Sequence, residues 1–255
     1  KVEFRNIDFS YNVGGKVLNN INFKVNPGDK IALVGATGSG KTTIISLLSR
    51  FYDPTDGEIL VDGKNIKYVD LYSYRSQMGI MLQDTFLFSS TIMENIRYGR
   101  LDATDEEVIN AAKAVNAHEF IMKLENGYDT EVNERGSRLS LGQRQLVSFA
   151  RALLANPRIL ILDEATSNID MESEEMIMNV IRELSKTKMI LFISHRLSNV
   201  VDSDCIYMMK DGIVAEEGTH EQLMCKKGRY QHLFDKQKEL ESYSANMLWN
   251  ESLKK

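Results

Sequence analysis

Apolar and polar positions alternate at the start of the chain, then give way to continuous apolar runs further in, and that change marks out its organisation. Ile7, Phe9 and Tyr11 alternate with polar residues, as do Ile21, Phe23 and Val25, the period-2 pattern of antiparallel strands. Pro27, Gly28 and Asp29 predict a turn. Residues 31–34 are a short apolar strand running straight into a glycine-rich loop, after which Ile44, Ile45, Leu47, Leu48 and Phe51 take helical spacing. Asp53-Pro54-Thr55-Asp56-Gly57 ends that helix, and Asp62-Gly63 and Asp211-Gly212 predict hairpin turns. From about 85 to 155 the pattern is mostly helical, with Thr104 and Glu107 at capping-box spacing before Val108, Ile109, Ala112 and Val115. Two continuous apolar runs, 159–162 and 189–193, predict strands buried on both faces, as in a parallel sheet. An acidic helical segment, roughly 171–185, lies between them. The tail from about 229 is charged and helical, with Leu233, Phe234, Leu240 and Tyr243 as its apolar stripe.

Composition narrows the class. A chain of 255 residues suffices for one large α/β domain or a core carrying a smaller subdomain. No apolar run approaches the ~20 residues of a membrane-spanning helix. The chain opens directly on a strand without an initiator Met, which predicts no signal peptide and suggests a fragment of a longer chain. A net charge of −5 with no Lys/Arg cluster argues against a nucleic-acid partner. Cys205 and Cys225 stand alone, without metal-ligand spacing, and fit a reduced cytosolic setting.

Candidate chemistry gathers at strand ends, where ligand crevices of open α/β sheets lie. Gly35, Ala36, Thr37, Gly38, Ser39, Gly40, Lys41 and Thr42 form a phosphate loop between a strand and a helix, the context that separates such a loop from a chance glycine turn. Its glycines let backbone N–H groups turn toward phosphates, the helix start adds positive charge, Lys41 reaches the β- and γ-phosphates, and Thr42 ligates Mg²⁺. Asp163 and Glu164 follow the strand 159–162; Asp163 is placed to hold Mg²⁺ and Glu164 to take a proton from an attacking water. Taken alone, that pair is equally well explained as two acids at a helix start; the loop upstream favours the chemistry. Ser140 and Gln143 have capping-box spacing before the helix carrying Leu146, Val147, Phe149, Ala150, Leu153 and Leu154. A capped helix explains them, but a glycine-bearing helix start is also an anion site. Two such starts for one triphosphate suggest that the second serves another molecule's nucleotide.

Together these residues closely resemble the nucleotide-binding domain of ATP-binding cassette transporters, over residues 2 to 237. Residues 35–42 resemble its Walker A loop, Gln83 its Q-loop glutamine, residues 139–143 its LSGGQ signature, Asp163 and Glu164 its Walker B acid and catalytic glutamate, residues 167–170 its D-loop, His195 its switch histidine, and Tyr11 the aromatic that stacks on adenine. Residues 130–136 resemble the exporter X-loop, and Thr85-Phe86-Leu87-Phe88 and Glu94-Asn95-Ile96 the exporter sequence after the Q-loop. The resemblance implies an α/β P-loop NTPase (RecA-like) core with an antiparallel β subdomain and an inserted helical subdomain. The expected divisions are 1–84, β subdomain and first part of the core; 85–155, helical signature subdomain; 156–235, second part of the core; and 236–255, helical tail. It implies an ATPase with ATP and Mg²⁺ as ligands, powering export at the cytoplasmic face of a membrane. Glu164, His195, Gln83 and Lys41 would be catalytic. Tyr11, residues 35–43 including Thr43, Gln83, Ser140, Gly142, Gln143 and Asp170 would bind nucleotide, and Thr42, Gln83 and Asp163 the metal. Its partners would be a second nucleotide-binding domain, identical or not, and a transmembrane domain.

Three positions depart from the pattern: Leu141 stands at a usual signature glycine, Asn168 at a D-loop alanine and Asn133 at the X-loop glycine. They raise the prospect of a half-transporter with a non-identical partner. An importer subunit, a soluble cassette ATPase of DNA repair or translation, and a regulatory nucleotide-binding module are the alternatives. The X-loop resemblance, the absence of long coiled coils or basic surfaces, and intact Glu164 and His195 weigh against them in turn. His118, His220 and His232 match no motif and read as structural or surface residues.

Overall fold

The computed structural model describes residues 1–12, 15–82, 85–132, 138–163 and 171–252, excluding the side chains of 171–173, 176 and 241–252. Two sheets and a helical layer stack around two apolar cores. The first sheet is antiparallel. It contains β1 (Val2–Ser10), β2 (Lys16–Val25), β4 (Asp56–Val61) and the two-residue β5 (Lys64–Asn65), in the order β2-β1-β4-β5. Asp62 and Gly63 turn between β4 and β5 with φ of 49° and 78°, the left-handed pair of a tight hairpin.

The second sheet is the centre of the molecule. It contains β3 (Lys30–Val34), β6 (Met78–Met81), β9 (Ile159–Asp163), β10 (Met189–Ile193), β11 (Cys205–Lys210) and β12 (Ile213–Gly218), in the order β12-β11-β3-β10-β9-β6. All neighbours run parallel except β12, which folds back on β11 at Asp211-Gly212. Every residue of β3, β9 and β10 is buried, as the continuous apolar runs predict. Their side chains divide by parity. Ala32, Val34, Leu160, Leu162, Ile190 and Phe192 face one core; Ile31, Leu33, Ile159, Ile161, Leu191 and Ile193 face the other. The second core is closed by Phe4, Ile7, Phe23 and Ile59 of the antiparallel sheet and by Ile44, Ile45 and Leu47 of α1 (Lys41–Leu48).

The first core is closed by helices. After the short α2 (Leu71–Arg75) come α3 (Ile92–Arg97), α4 (Asp105–Ala114), α5 (His118–Met122) and α6 (Leu141–Leu154), followed later by α7 (Met171–Ser185), α8 (His220–Lys226) and α9 (Arg229–Ser252). Thr104 and Glu107 form the expected capping box on α4. A two-stranded ribbon of β7 (Ser90–Thr91) and β8 (Glu131–Val132) ties the helical region together, which the sequence did not announce. In α9, Tyr230 is fully buried and Leu233 and Phe234 pack on the core, but Leu240 is 68% exposed. Of the expected stripe, Leu240 therefore does not join the core, and the side chain of Tyr243 lies outside the described residues. Among the described residues, no helix is long and apolar enough to cross a membrane.

Candidate functional site

Register brings the strand-end residues together. Leu33 on β3 pairs with Ile193 on β10, and Ile193 pairs with Asp163 on β9. The three lie in one row across the sheet, about 4.8 Å apart from strand to strand. Gly35 and His195 each stand two residues beyond that row, so the glycine loop, the buried Asp163 (4% exposed) and the exposed His195 share one carboxyl edge. β10 lies between the strands that carry the loop and the acid.

The loop's backbone is fixed by glycines. Gly35 has φ of +145°, and a Cβ there would lie 2.3 Å from the Met209 carbonyl oxygen. Gly40 has φ of +103° and caps α1; a Cβ there would meet the Leu18 side chain at 2.5 Å. Lys41 is 6% exposed and folds back over its own loop, Nζ donating to the carbonyls of Gly35 at 2.8 Å and Ala36 at 3.0 Å. The Ser39 hydroxyl is buried, with no hydrogen-bond partner among the described residues. Thr42 is exposed.

Helix α1, like the short α5, starts without a side-chain cap. Helices α2, α3, α4, α6 and α8 each begin on a side chain that accepts a backbone N–H. Among the described residues α1 has no such cap, and its first turn carries no acid. Its N–H donors and the positive end of its dipole are offered to a ligand instead. An anion held there would also face Lys41 and the orphaned Ser39 hydroxyl, so this helix start fits a phosphate chain.

On the flank, Tyr11 is half-buried. Its ring stands edge-on to Phe9 at 4.8 Å and to Tyr52 at 5.2 Å, and its hydroxyl lies 3.3 Å from Thr43 Oγ1. Tyr52, 49% exposed, forms a wall of the crevice with Ser10, Asn12 and Asp53 and was not singled out by sequence pattern. It lies in the turn after α1, where only the distant pairing of β1 reveals its neighbour.

At the other helix start, the Ser140 hydroxyl accepts the Gln143 N–H at 3.2 Å and Gln143 Oε1 accepts the Ser140 N–H at 2.9 Å. The capping box is therefore formed, with Leu141 half out in solvent and Gly142 beside it. Helix α6 packs on α3, α4 and β6. Strand β6 is three strands from β3, a lateral offset of roughly 14 Å. The two helix starts thus belong to different parts of the molecule. Gln83, Glu164 and Asp170 lie outside the described residues, as do residues 167–169 and Asn133. Among the histidines without a motif, His118 Nδ1 is 2.9 Å from the Tyr128 hydroxyl and His220 Nδ1 2.9 Å from that of Tyr230.

Comparison with known proteins agrees with this geometry. The family model described as ABC transporter matches residues 18–167, more than half of the chain. The Bacillus subtilis uncharacterized ABC transporter ATP-binding protein YknV is 54% identical over 230 residues, 90% of this chain and 38% of that protein. The putative multidrug export ATP-binding/permease protein YgaD of the same organism is 50% identical over 91% of this chain and 40% of its own length. The structure of a bacterial Atm1-family ABC exporter with ATP bound superposes with a TM-score of 0.90 at 43% identity, covering 92% of this chain and 41% of that one. The chain spans about two fifths of the length of the curated relatives it matches. The P-loop on its buried parallel sheet, the second capped helix start and these likenesses lead to one conclusion: the chain belongs to the ABC transporter family and carries that family's ATP-binding ATPase domain.

Proposed function

We propose that this chain hydrolyses MgATP as one of two cassettes that power export through a membrane domain. The placement of Gly35 and His195 two residues beyond the row that ends on Asp163, at one edge of β3, β10 and β9, is the observation that carries the reading. Residues 35–42 wrap the phosphates, Lys41 leaves its loop carbonyls for the β- and γ-phosphate oxygens, and Tyr11 and Tyr52 offer ring faces and edges to the adenine. Thr43 holds the Tyr11 hydroxyl from below.

The metal reading rests on donor chemistry. Among the described residues no three His, Cys, Asp or Glu side chains cluster as a protein-only cage. Mg²⁺ suits such a place, since it is bound by one or two protein oxygens together with phosphate and water. Thr42 and Asp163 would hold it, with Gln83 alongside. When bound it neutralises charge on the phosphate oxygens. Glu164 orients the attacking water and takes its proton, and His195 contacts the γ-phosphate.

The second helix start supports a shared site. Ser140, Gly142 and Gln143 of one cassette would close over the nucleotide held by the other, with Asp170 near the seam. The membrane domain would dock on an exposed aromatic patch. Phe86 (56% exposed), Phe88 and Tyr98 (57% exposed) form an apolar patch beside the half-buried Arg151, whose guanidinium stacks on the Phe88 and Tyr98 rings. Export, rather than import, follows the ATP-binding/permease relatives, and would place the chain on the cytoplasmic face of a membrane. The test is Glu164→Gln. Steady-state ATP turnover should fall at least about 100-fold while nucleotide still binds; turnover at the unmodified rate would refute the assignment of Glu164 as base.

A further inference from the structure

Strand β10 ends at Ile193, and the chain that follows must find hydrogen-bond partners outside the ladder. Side chains supply them. Ser194 Oγ accepts the Arg196 N–H at 3.0 Å and donates to the Arg196 carbonyl at 2.9 Å. From α9, Gln237 Nε2 donates to the His195 carbonyl, and Gln237 Oε1 accepts the Leu197 N–H at 2.7 Å. A single side-chain amide therefore closes on the backbone either side of Arg196, as a neighbouring strand would. From α7, the buried Glu174 accepts the Arg196 guanidinium and also the Asn199 side-chain amide at 2.7 Å.

Gln237 is well placed to carry force. It lies on the same face of α9 as Tyr230, Leu233 and Phe234, at the seventh, fourth and third positions after them. Tyr230 is fully buried, and His220 of α8 packs on its ring and on that of Phe234. The start of α9 is thus anchored in the core, and the polar continuation of its buried stripe ends on the backbone of His195.

We propose that Gln237 is a positioning residue for ATP hydrolysis, fixing the backbone of residues 195–197 so that the His195 ring meets the γ-phosphate, and that α9 is in this way a working part of the ATP site. The inference rests on the reading of His195 as the γ-phosphate contact. Gln237 touches no substrate and acts only through the two peptide groups it holds. Both halves of the amide are needed. Methionine has similar length but neither donor nor acceptor, and glutamate would set a carboxylate oxygen against the His195 carbonyl.

The experiment uses the full chain with Gln237→Met and Gln237→Glu. It measures ATP turnover and the histidine Cε1–H proton resonances, which are readily separated in a chain with four histidines. The expected result is a kcat lowered about tenfold or more with KM within about twofold, and Glu at least as impaired as Met. The shift of the His195 resonance on adding MgATP should shrink, while His118, bonded to Tyr128, keeps its position as the fold control. Unmodified kcat and an unmodified His195 response in both variants would overturn the proposal. A loss of kcat accompanied by a displaced His118 signal and a lowered melting midpoint would overturn it too, since Gln237 would then merely hold the fold. A His195 signal in the parent chain that ignores MgATP would refute the reading of His195 itself, and the inference with it.

Discussion

At the scale of single residues, the phosphate loop is the feature most completely written in the sequence. Its glycines, Lys41 and the uncapped start of α1 are neighbours in the chain, so their geometry is local. Lys41→Ala should therefore abolish measurable binding of a fluorescent ATP analogue and also lower the thermal midpoint, since the buried stem is lost from the packing and the buried Gly35 carbonyl loses its Nζ donor. Residues that meet the site from afar were silent. Tyr52 reaches Tyr11 just past the end of β1, and Gln237 reaches His195 from 42 residues away. Neither bears a motif, because a ring or an amide in a charged segment has no periodic signature until tertiary contacts give it a partner.

Elements show where pattern suffices and where it does not. The strands β3, β9 and β10, the two Asp-Gly hairpins and the caps of α4 and α6 follow directly from apolar runs, turn chemistry and Ser/Thr-x-x-Glu/Gln spacing. The ribbon of β7 and β8 has two residues in each strand, too few to show a period, and is held by α3, where the Ile92 N–H donates to the Thr130 carbonyl and Asn95 Nδ2 to that of Thr91. Asn95 is 1% exposed. Its Oδ1 accepts from Phe88 N at 2.8 Å and Arg151 Nη2 at 2.9 Å, and its Nδ2 donates to the carbonyls of Phe88 at 3.0 Å and Thr91 at 2.9 Å. Asn95→Ala should cost about 3 kcal/mol in urea unfolding, because it strands several buried groups at once. An ion network at the far end of the central sheet makes a pH prediction. Partial burial pushes the Asp202 carboxyl up, but hydrogen bonds and charge from Lys30 and Arg182 outweigh it and hold it below its ordinary value. A carboxyl depressed in the folded state contributes stability above its unfolded pKa and loses it as pH falls through the folded value. The stability gap between the parent chain and Asp202→Asn should thus be full at pH 7 and shrink below about pH 4, read from urea midpoints at several pH values.

The whole molecule is organised so that two sheets meet at the phosphate loop. Gly212, in the β11–β12 turn, has φ of +76°; its carbonyl accepts the Asn19 N–H at 2.8 Å and its N–H reaches the Ser39 carbonyl at 3.3 Å. A Cβ there would lie 2.1 Å from the Val17 carbonyl oxygen, a backbone atom that cannot move without parting the sheets. Gly212→Ala should destabilise the chain by at least about 2 kcal/mol and weaken ATP binding as well, measured by calorimetry with and without nucleotide. This level was the least legible beforehand, since a hairpin signal says that a turn exists and nothing about what packs on it. The same scale holds the central claim. Ser140 starts a helix packed beside β6, three strands from the loop on β3, and under the proposed function the two helix starts are separate halves of a nucleotide site completed by a second cassette. Sedimentation velocity of the Glu164→Gln chain with saturating MgATP tests this most directly. A dimer holding two nucleotides, returning to monomer when nucleotide is removed, is the predicted result, and a monomer that binds MgATP yet never associates would contradict it.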